Sequence, residues 1–115
     1  MLSNLSYNKN HKKSKILSYK KKIITALRLI IDPEILINIW DLGLIYKISY
    51  RNYHQIYIEM TLTSFFCPVA KKIISQVINE IEELTSKEVK VKLVWFPKWS
   101  KNMMSTEAKF TLELV

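Results

Sequence analysis

The sequence predicts an α+β two-layer sandwich, ordered helix-strand-strand-helix-strand, in which a three-stranded sheet carries helices on one face. Two stretches repeat apolar residues at helical spacing, and three alternate apolar and polar residues with a period of two. Elements with a single apolar side must bury it against another layer, and helices on one sheet face satisfy all five at once. At 115 residues the chain has room for one domain, which should bury roughly 60–70 % of the surface that its unfolded chain exposes. The boundaries predicted are a basic, flexible extension over 1–18 and the domain over 19–115.

The first helix is expected over 17–31. Ile16, Tyr19, Ile23, Leu27 and Ile30 recur on one face, with Ile24 and Ile31 beside them, and Asp32-Pro33 stops the pattern because a residue preceding proline avoids the helical region. Leu44, Tyr46, Ile48 and Tyr50 then alternate with Lys47, Ser49 and Arg51, while Ile56, Ile58, Met60 and Leu62 alternate with Tyr57, Glu59, Thr61 and Thr63. Two strands with one apolar face each follow. Only Asn52 to His54 separate them, so a hairpin joins them. The second helix is expected over 68–85, its stripe formed by Ile73, Ile74, Val77, Ile78, Ile81 and Leu84. Val89, Val91, Leu93 and Trp95 alternate with Lys90 and Lys92 as a third strand. Beyond it two outcomes are open: a short helix within Ser100 to Ala108, and an edge strand through Phe110 and Leu112.

The formal charge of +8 is unevenly spread. Residues 1–22 hold seven lysines and no acid, whereas residues 23–115 carry eleven Lys or Arg against ten Asp or Glu, a net of +1. The folded part is therefore nearly neutral, and nucleic acid is not an expected partner, although a basic tail can bind polyanions. No stretch approaches the ~20 apolar residues that span a bilayer, the tail lacks the apolar core of a secretory signal, and a single cysteine cannot form an internal disulfide. A cytoplasmic setting away from membranes is the expectation.

That cysteine, Cys67, stands where a predicted strand hands over to a predicted helix with Pro68 in the first helical position. Unpaired N–H groups and the positive end of the helix dipole favour a thiolate there, and such thiols fall from a pKa of about 8.5 to roughly 3.5–7.5. The opposing reading is a small buried residue that caps the helix. Lys71 and Lys72 follow in the first turns, and Glu80, Glu82 and Glu83 come near the helix end, the reverse of what the dipole prefers. The lysines would stabilise an anion at Cys67, or they form a solvated face. Asp32 and Glu34 are two apart on a segment that Pro33 biases toward extended, which would turn both carboxylates to one side, for a metal or the thiol's proton; turn-forming and solvated roles compete with this. Asp41-Leu42-Gly43 reads as a turn in which the only glycine takes a positive φ or allows close packing. Trp95, Phe96, Pro97 and Trp99 with Met103 and Met104 are core or, where exposed, a docking surface.

His11 and His54 are remote from Cys67 and no paired-cysteine spacing exists, so any metal or cluster at Cys67 must be shared with another subunit or protein. A homodimer would supply a second cysteine by two-fold symmetry. Glycine-rich phosphate loops and hydrolytic triads are absent from the sequence.

Three segments together, DPEILINIWDLGLIY at 32–46, TLTSFFCPVA at 61–70 and WFPKWSKNMMSTEA at 95–108, resemble the SufT/PaaD-like family of iron–sulfur assembly (metal-sulfur cluster biosynthesis) domains, related to eukaryotic cytosolic iron–sulfur targeting factors. The resemblance covers about residues 19–115. It implies an iron–sulfur cluster assembly domain-like fold, a reactive cysteine at Cys67, and pocket residues at Asp32, Glu34, Thr61 and Thr63. Asp41, Gly43 and the Trp95–Trp99 segment form its supporting pattern. The chain departs from that pattern at Leu36, where the family usually has proline, and at Phe65 and Phe66, which replace a proline followed by a small or polar residue. Two phenylalanines can shield the thiol or offer a partner an apolar contact.

The function implied is assembly or delivery of iron–sulfur clusters by a non-enzymatic factor acting through Cys67. No cofactor is expected to be tightly bound; a transient cluster would be shared between subunits or with a partner. The partners implied are the assembly machinery, whether scaffold or ATP-dependent carrier, and client apoproteins. Two alternatives are a maturation factor dedicated to one oxygenase, whose relatives tend to carry an extra cysteine-rich C-terminal region that this sequence lacks, and a thiol-dependent enzyme using Cys67 as nucleophile.

Overall fold

In the computed structural model of the chain, residues 18–63 and 67–113 are described. Most of the basic extension, Ile16 of the first apolar stripe, and Phe65 and Phe66 lie outside them. Helix α1 covers residues 18–28 and buries Ile23, Ala26, Leu27 and, just past its end, Ile30. The chain leaves the helix three residues before the expected boundary at 31. Leu29 and Ile30 donate backbone bonds to Ala26 and Leu27, three residues back, as a tightened last turn does. Ile30 to Asp32 then pair with Ile37 to Ile39: Ile39 N–H donates to Ile30 C=O (2.9 Å), Asp32 N–H donates to Ile37 C=O (3.0 Å), and Ile31 bridges Asn38. This local ladder, with the extended preference imposed by Pro33, outcompetes another helical turn and leaves Ile31 half exposed.

Strands β1 (Ile45–Arg51) and β2 (Gln55–Met60) form the expected hairpin. Asn52 takes φ 55° and its side-chain oxygen accepts the His54 N–H at 2.9 Å, the local capping that makes asparagine tolerant of that backbone. Helix α2 (Cys67–Thr85) crosses back to β3 (Glu88–Leu93), which pairs with β2 in parallel, so the sheet order is β1-β2-β3 with β2 central. Ile56, Ile58 and Met60 of β2 are fully buried against the α1 stripe and against Ile73, Val77 and Ile81 of α2, which recur every four residues. Both helices therefore share one core on one sheet face. The other face carries Lys47, Arg51, Glu59, Lys90 and Lys92.

Three sequence expectations are corrected here. A β-bulge shifts the register between Ile45 and Lys47, so Ile45 opposes Met60 on the core side and Tyr46 leaves the apolar face that strict alternation assigns it. Leu84 is exposed and Thr85 is buried in its place, its hydroxyl donating to Ile81 C=O at 2.7 Å, because the buried face recurs every four residues through Ile73, Val77 and Ile81 and so reaches Thr85. Finally, β3 ends at Leu93, since β2, its only neighbour, ends at Met60; Trp95 stands outside the strand.

The open C-terminal boundary resolves into helix. A 3-10 turn, Lys101–Met103, precedes helix α3 (Thr106–Glu113), so Phe110 and Leu112 continue no edge strand. Ser105 explains the choice: its hydroxyl accepts the Ala108 N–H (3.1 Å) and its carbonyl the Lys109 N–H (3.0 Å), satisfying donors at the start of α3. Met104 and Ala108 join the core.

Candidate functional site

The parallel pairing of β2 and β3 brings their C-terminal ends to one edge of the sheet, where β1 also begins, opposite Met60. The 32–44 loop, the segment after β2 that leads into α2, and the segment after β3 thus meet at one end of the fold. Those are the three stretches that the sequence singled out.

Asp32 is only 2 % exposed. Its Oδ1 accepts the N–H groups of Glu34 and Ile35, both at 2.9 Å, and its Oδ2 accepts the Thr63 hydroxyl at 3.3 Å. One carboxylate therefore closes the turn at 33–35 and ties it to the segment leading to Cys67, across 31 residues of sequence. Because the chain turns here instead of extending, the two carboxylates part: Asp32 is buried and Glu34 exposed. Thr61 is 1 % exposed, and Thr63 is half-buried. Cys67 is the first residue of α2, which has no acidic residue in its first turn, and Lys71 and Lys72 are exposed on the same helix.

The segment after β3 folds over the Asp41-Leu42-Gly43 turn. Trp99 Nε1–H donates to Leu42 C=O (2.6 Å) and Ser105 N–H to Asp41 C=O (2.7 Å). Asn38 brackets Asp41, its amide donating to Asp41 Oδ2 at 2.7 Å while its oxygen accepts the Asp41 N–H at 2.8 Å. Gly43 has φ 77°, and a Cβ there would lie 2.2 Å from the Met103 carbonyl oxygen, so both glycine properties that the sequence offered as alternatives operate together. A small cleft of about 40 Å³ remains between Leu62, Thr63, Trp95, Lys98 and Trp99. Phe96 beside it is 90 % exposed.

The sequence reading missed Asn38, Lys98 and Tyr46. The Tyr46 hydroxyl donates to Pro97 C=O at 2.8 Å. Burial pushes its phenol above the ordinary tyrosine value, an effect that Thr61 partly opposes. Its only signal was a place at the end of the first motif, which alternation read as core. Among the described residues no group of three His, Cys, Asp or Glu could hold a metal ion. No helix among them is long and apolar enough to cross a membrane.

The chain is thus a small α+β domain that gathers three loops at one end of a three-stranded sheet, with a helix that begins at Cys67. The chain belongs to the iron-sulfur cluster assembly protein family, which it matches over residues 20–93. It is 41 % identical over 85 residues to the Fe-S protein maturation auxiliary factor SufT of Staphylococcus aureus, covering 73 % of this chain and 97 % of that one. An Fe-S protein maturation auxiliary factor of Porphyromonas gingivalis is 39 % identical over 100 residues, 86 % of this chain and 95 % of its own. The crystal structure of a domain of unknown function, DUF59, from Bacillus anthracis superposes with a TM-score of 0.78 at 35 % identity, covering 85 % of this chain and 94 % of the other.

Proposed function

We propose that this protein assists the maturation of iron–sulfur proteins by helping to assemble or deliver clusters, with Cys67 as the residue that contacts the cargo. The single observation carrying this reading is the convergence of the Asp32 turn, the Thr61–Thr63 segment that precedes α2 and the Trp95–Trp99 segment at one end of the sheet, in a chain of the iron–sulfur cluster assembly family. The names of the S. aureus and P. gingivalis relatives support the same role.

Iron–sulfur clusters are held mainly by cysteine thiolates, commonly four. This sequence has one cysteine, so the cluster is cargo and the remaining ligands come from a partner or a second copy of the chain. Ligation by a single thiolate suits handover, since the cluster leaves without dismantling a complete cage. The N-terminus of a 19-residue helix favours the thiolate, and Lys71 and Lys72 add positive charge to the same helix. The role is that of a binding and delivery module, with the assembly scaffold or an ATP-dependent carrier on one side and client apoproteins on the other.

The test is aconitase activity per enzyme molecule in a host lacking its own family member. The intact chain should restore it and Cys67→Ala should not. Restoration by both would remove the thiol from the mechanism, and restoration by neither would overturn the functional reading itself.

A further inference from the structure

We propose that Tyr46 is a positioning residue for this site: its phenol, turned off the core face by the β1 bulge, ties the Trp95–Trp99 segment to strand β1 and thereby fixes one wall of the cleft beside Leu62 and Thr63. The inference rests on the maturation reading for its biological meaning, but its geometry stands apart from that reading.

Strict alternation would place Tyr46 between Leu44 and Ile48 in the core. The bulge between Ile45 and Lys47 prevents this by giving the core position to Ile45. Bulges interrupt a ladder and re-aim a side chain, and they recur beside functional sites. Here the re-aimed side chain meets two segments remote in sequence. Its O–H donates to the carbonyl of Pro97, 51 residues away, at 2.8 Å, with Met103 Sδ 3.4 Å from the same oxygen. One oxygen thus links the bulge in β1, the loop after β3 and the 3-10 turn.

Pro97 sits midway between Trp95 and Trp99, which line the cleft with Leu62 and Thr63. The loop is anchored at its start by Val94 N–H on Met60 C=O (2.8 Å) and at its far side by Trp99 on Leu42 C=O (2.6 Å). Phe96, Pro97 and Lys98 between those anchors are exposed, so core packing contributes little to fixing them. A directional bond to the Pro97 carbonyl supplies that restraint.

The experiment compares wild type, Tyr46→Phe and Tyr50→Phe. Tyr50 lies on the same strand, and its buried hydroxyl has no hydrogen-bond partner among the described residues, so its variant controls for loss of a phenol oxygen. In Tyr46→Phe the indole ¹H–¹⁵N resonances of Trp95 and Trp99 should shift or broaden, and alkylation of Cys67 by iodoacetamide should change about fivefold, the scale of one hydrogen bond. In Tyr50→Phe both readouts should match wild type. Aconitase maturation should fall in Tyr46→Phe alone. Should Tyr46→Phe not fold, nuclear Overhauser contacts between the Tyr46 ring and Pro97 in the wild-type protein carry the test, and their absence overturns the proposal. Unchanged indole signals and alkylation rate in the folded variant overturn the proposal. Because neither readout needs a client, that result is distinguishable from the failure of the maturation reading, which Cys67→Ala reports.

Discussion

Replacing Gly43 by alanine puts a methyl group where the fold has placed a carbonyl. The new Cβ would lie 2.2 Å from Met103 O and 2.9 Å from Met103 C, both backbone atoms of the 3-10 turn, so no side-chain rotation relieves the contact. The left-handed backbone, φ 77°, adds about 1–2 kcal/mol for any residue bearing a Cβ, while the stiffer unfolded chain returns roughly 0.5–1 kcal/mol. Moving the 101–103 turn away is an overpacking change of about 1–3 kcal/mol. It also strains the bonds from Trp99 to Leu42 and from Ser105 to Asp41, which hold the C-terminal segment over the turn. The net expectation is a loss of about 2–4 kcal/mol, or roughly 10–30 °C in melting temperature for a domain of this size. Urea denaturation followed by far-UV circular dichroism measures it. Leu36→Gly separates the two causes, because Leu36 has φ 63° but a side chain 73 % exposed. Relieving strain without any change in packing should stabilise by about 0.5–1 kcal/mol. A Gly43→Ala loss below about 1 kcal/mol, with the Trp99 indole resonance unmoved, would refute the close approach of the C-terminal segment to this turn.

The Asp32 turn makes a second prediction: Asp32→Ala strips the acceptor from two backbone N–H groups and from Thr63 and should cost about 2–3 kcal/mol, whereas Asp32→Asn, which keeps an oxygen for the two N–H groups, should cost under about 1 kcal/mol. Equal losses in urea denaturation would show that the negative charge, not the turn, is what the fold requires. Tyr50 makes a third. Its buried hydroxyl has no partner among the described residues and burial pushes its phenol above the ordinary value, so the folded state keeps a proton that the unfolded chain releases from about pH 10 upward. The stability that this proton confers is complete below that pH and is lost as pH rises through the folded value. Tyr50→Phe should therefore be more stable by about 1 kcal/mol near neutrality and show a shallower alkaline decline; an unchanged decline between pH 9 and 11 would assign the effect to other groups.

The maturation reading and the fold share one physical origin. A parallel strand pair joined by a helix must begin that helix near the C-terminal ends of the strands, so loops leaving β2 and β3 are neighbours whatever their sequence. The chain places a buried carboxylate's threonine partner and two tryptophans on those loops, and its cysteine at the first residue of the helix. Charge follows the same axis along α2, with Lys71 and Lys72 near the Cys67 end and Glu80, Glu82 and Glu83 toward the other. The helix forgoes favourable dipole pairing at both ends, an arrangement suited to holding an anion at the site end.

Periodicity alone determined the element order and the side of each element that faces the core, because burial of one apolar face is a local property of sequence: Ile56, Ile58 and Met60 on β2 and Ile73, Val77 and Ile81 on α2 are where the repeats place them. The turn at Gly43 and the thiol at the start of α2 were legible for the same reason, as glycine and proline speak for their own backbone. What only the tertiary structure decided depends on hydrogen bonds that the repeats do not encode. The first helix stops at 28 because Ile30 to Asp32 find a ladder with Ile37 to Ile39, and Asp32 separates from Glu34 because its carboxylate is claimed by the turn and by Thr63. A bulge takes Tyr46 out of the core and gives it to Pro97, and Ser105, capping α3, turns a candidate edge strand into helix. Each of these is a competition between an apolar repeat and a specific hydrogen bond that the repeat does not encode, made within a few residues by Ile30–Ile39 and Ser105 and across 31 and 51 residues by Asp32 and Tyr46, and in each the hydrogen bond prevails.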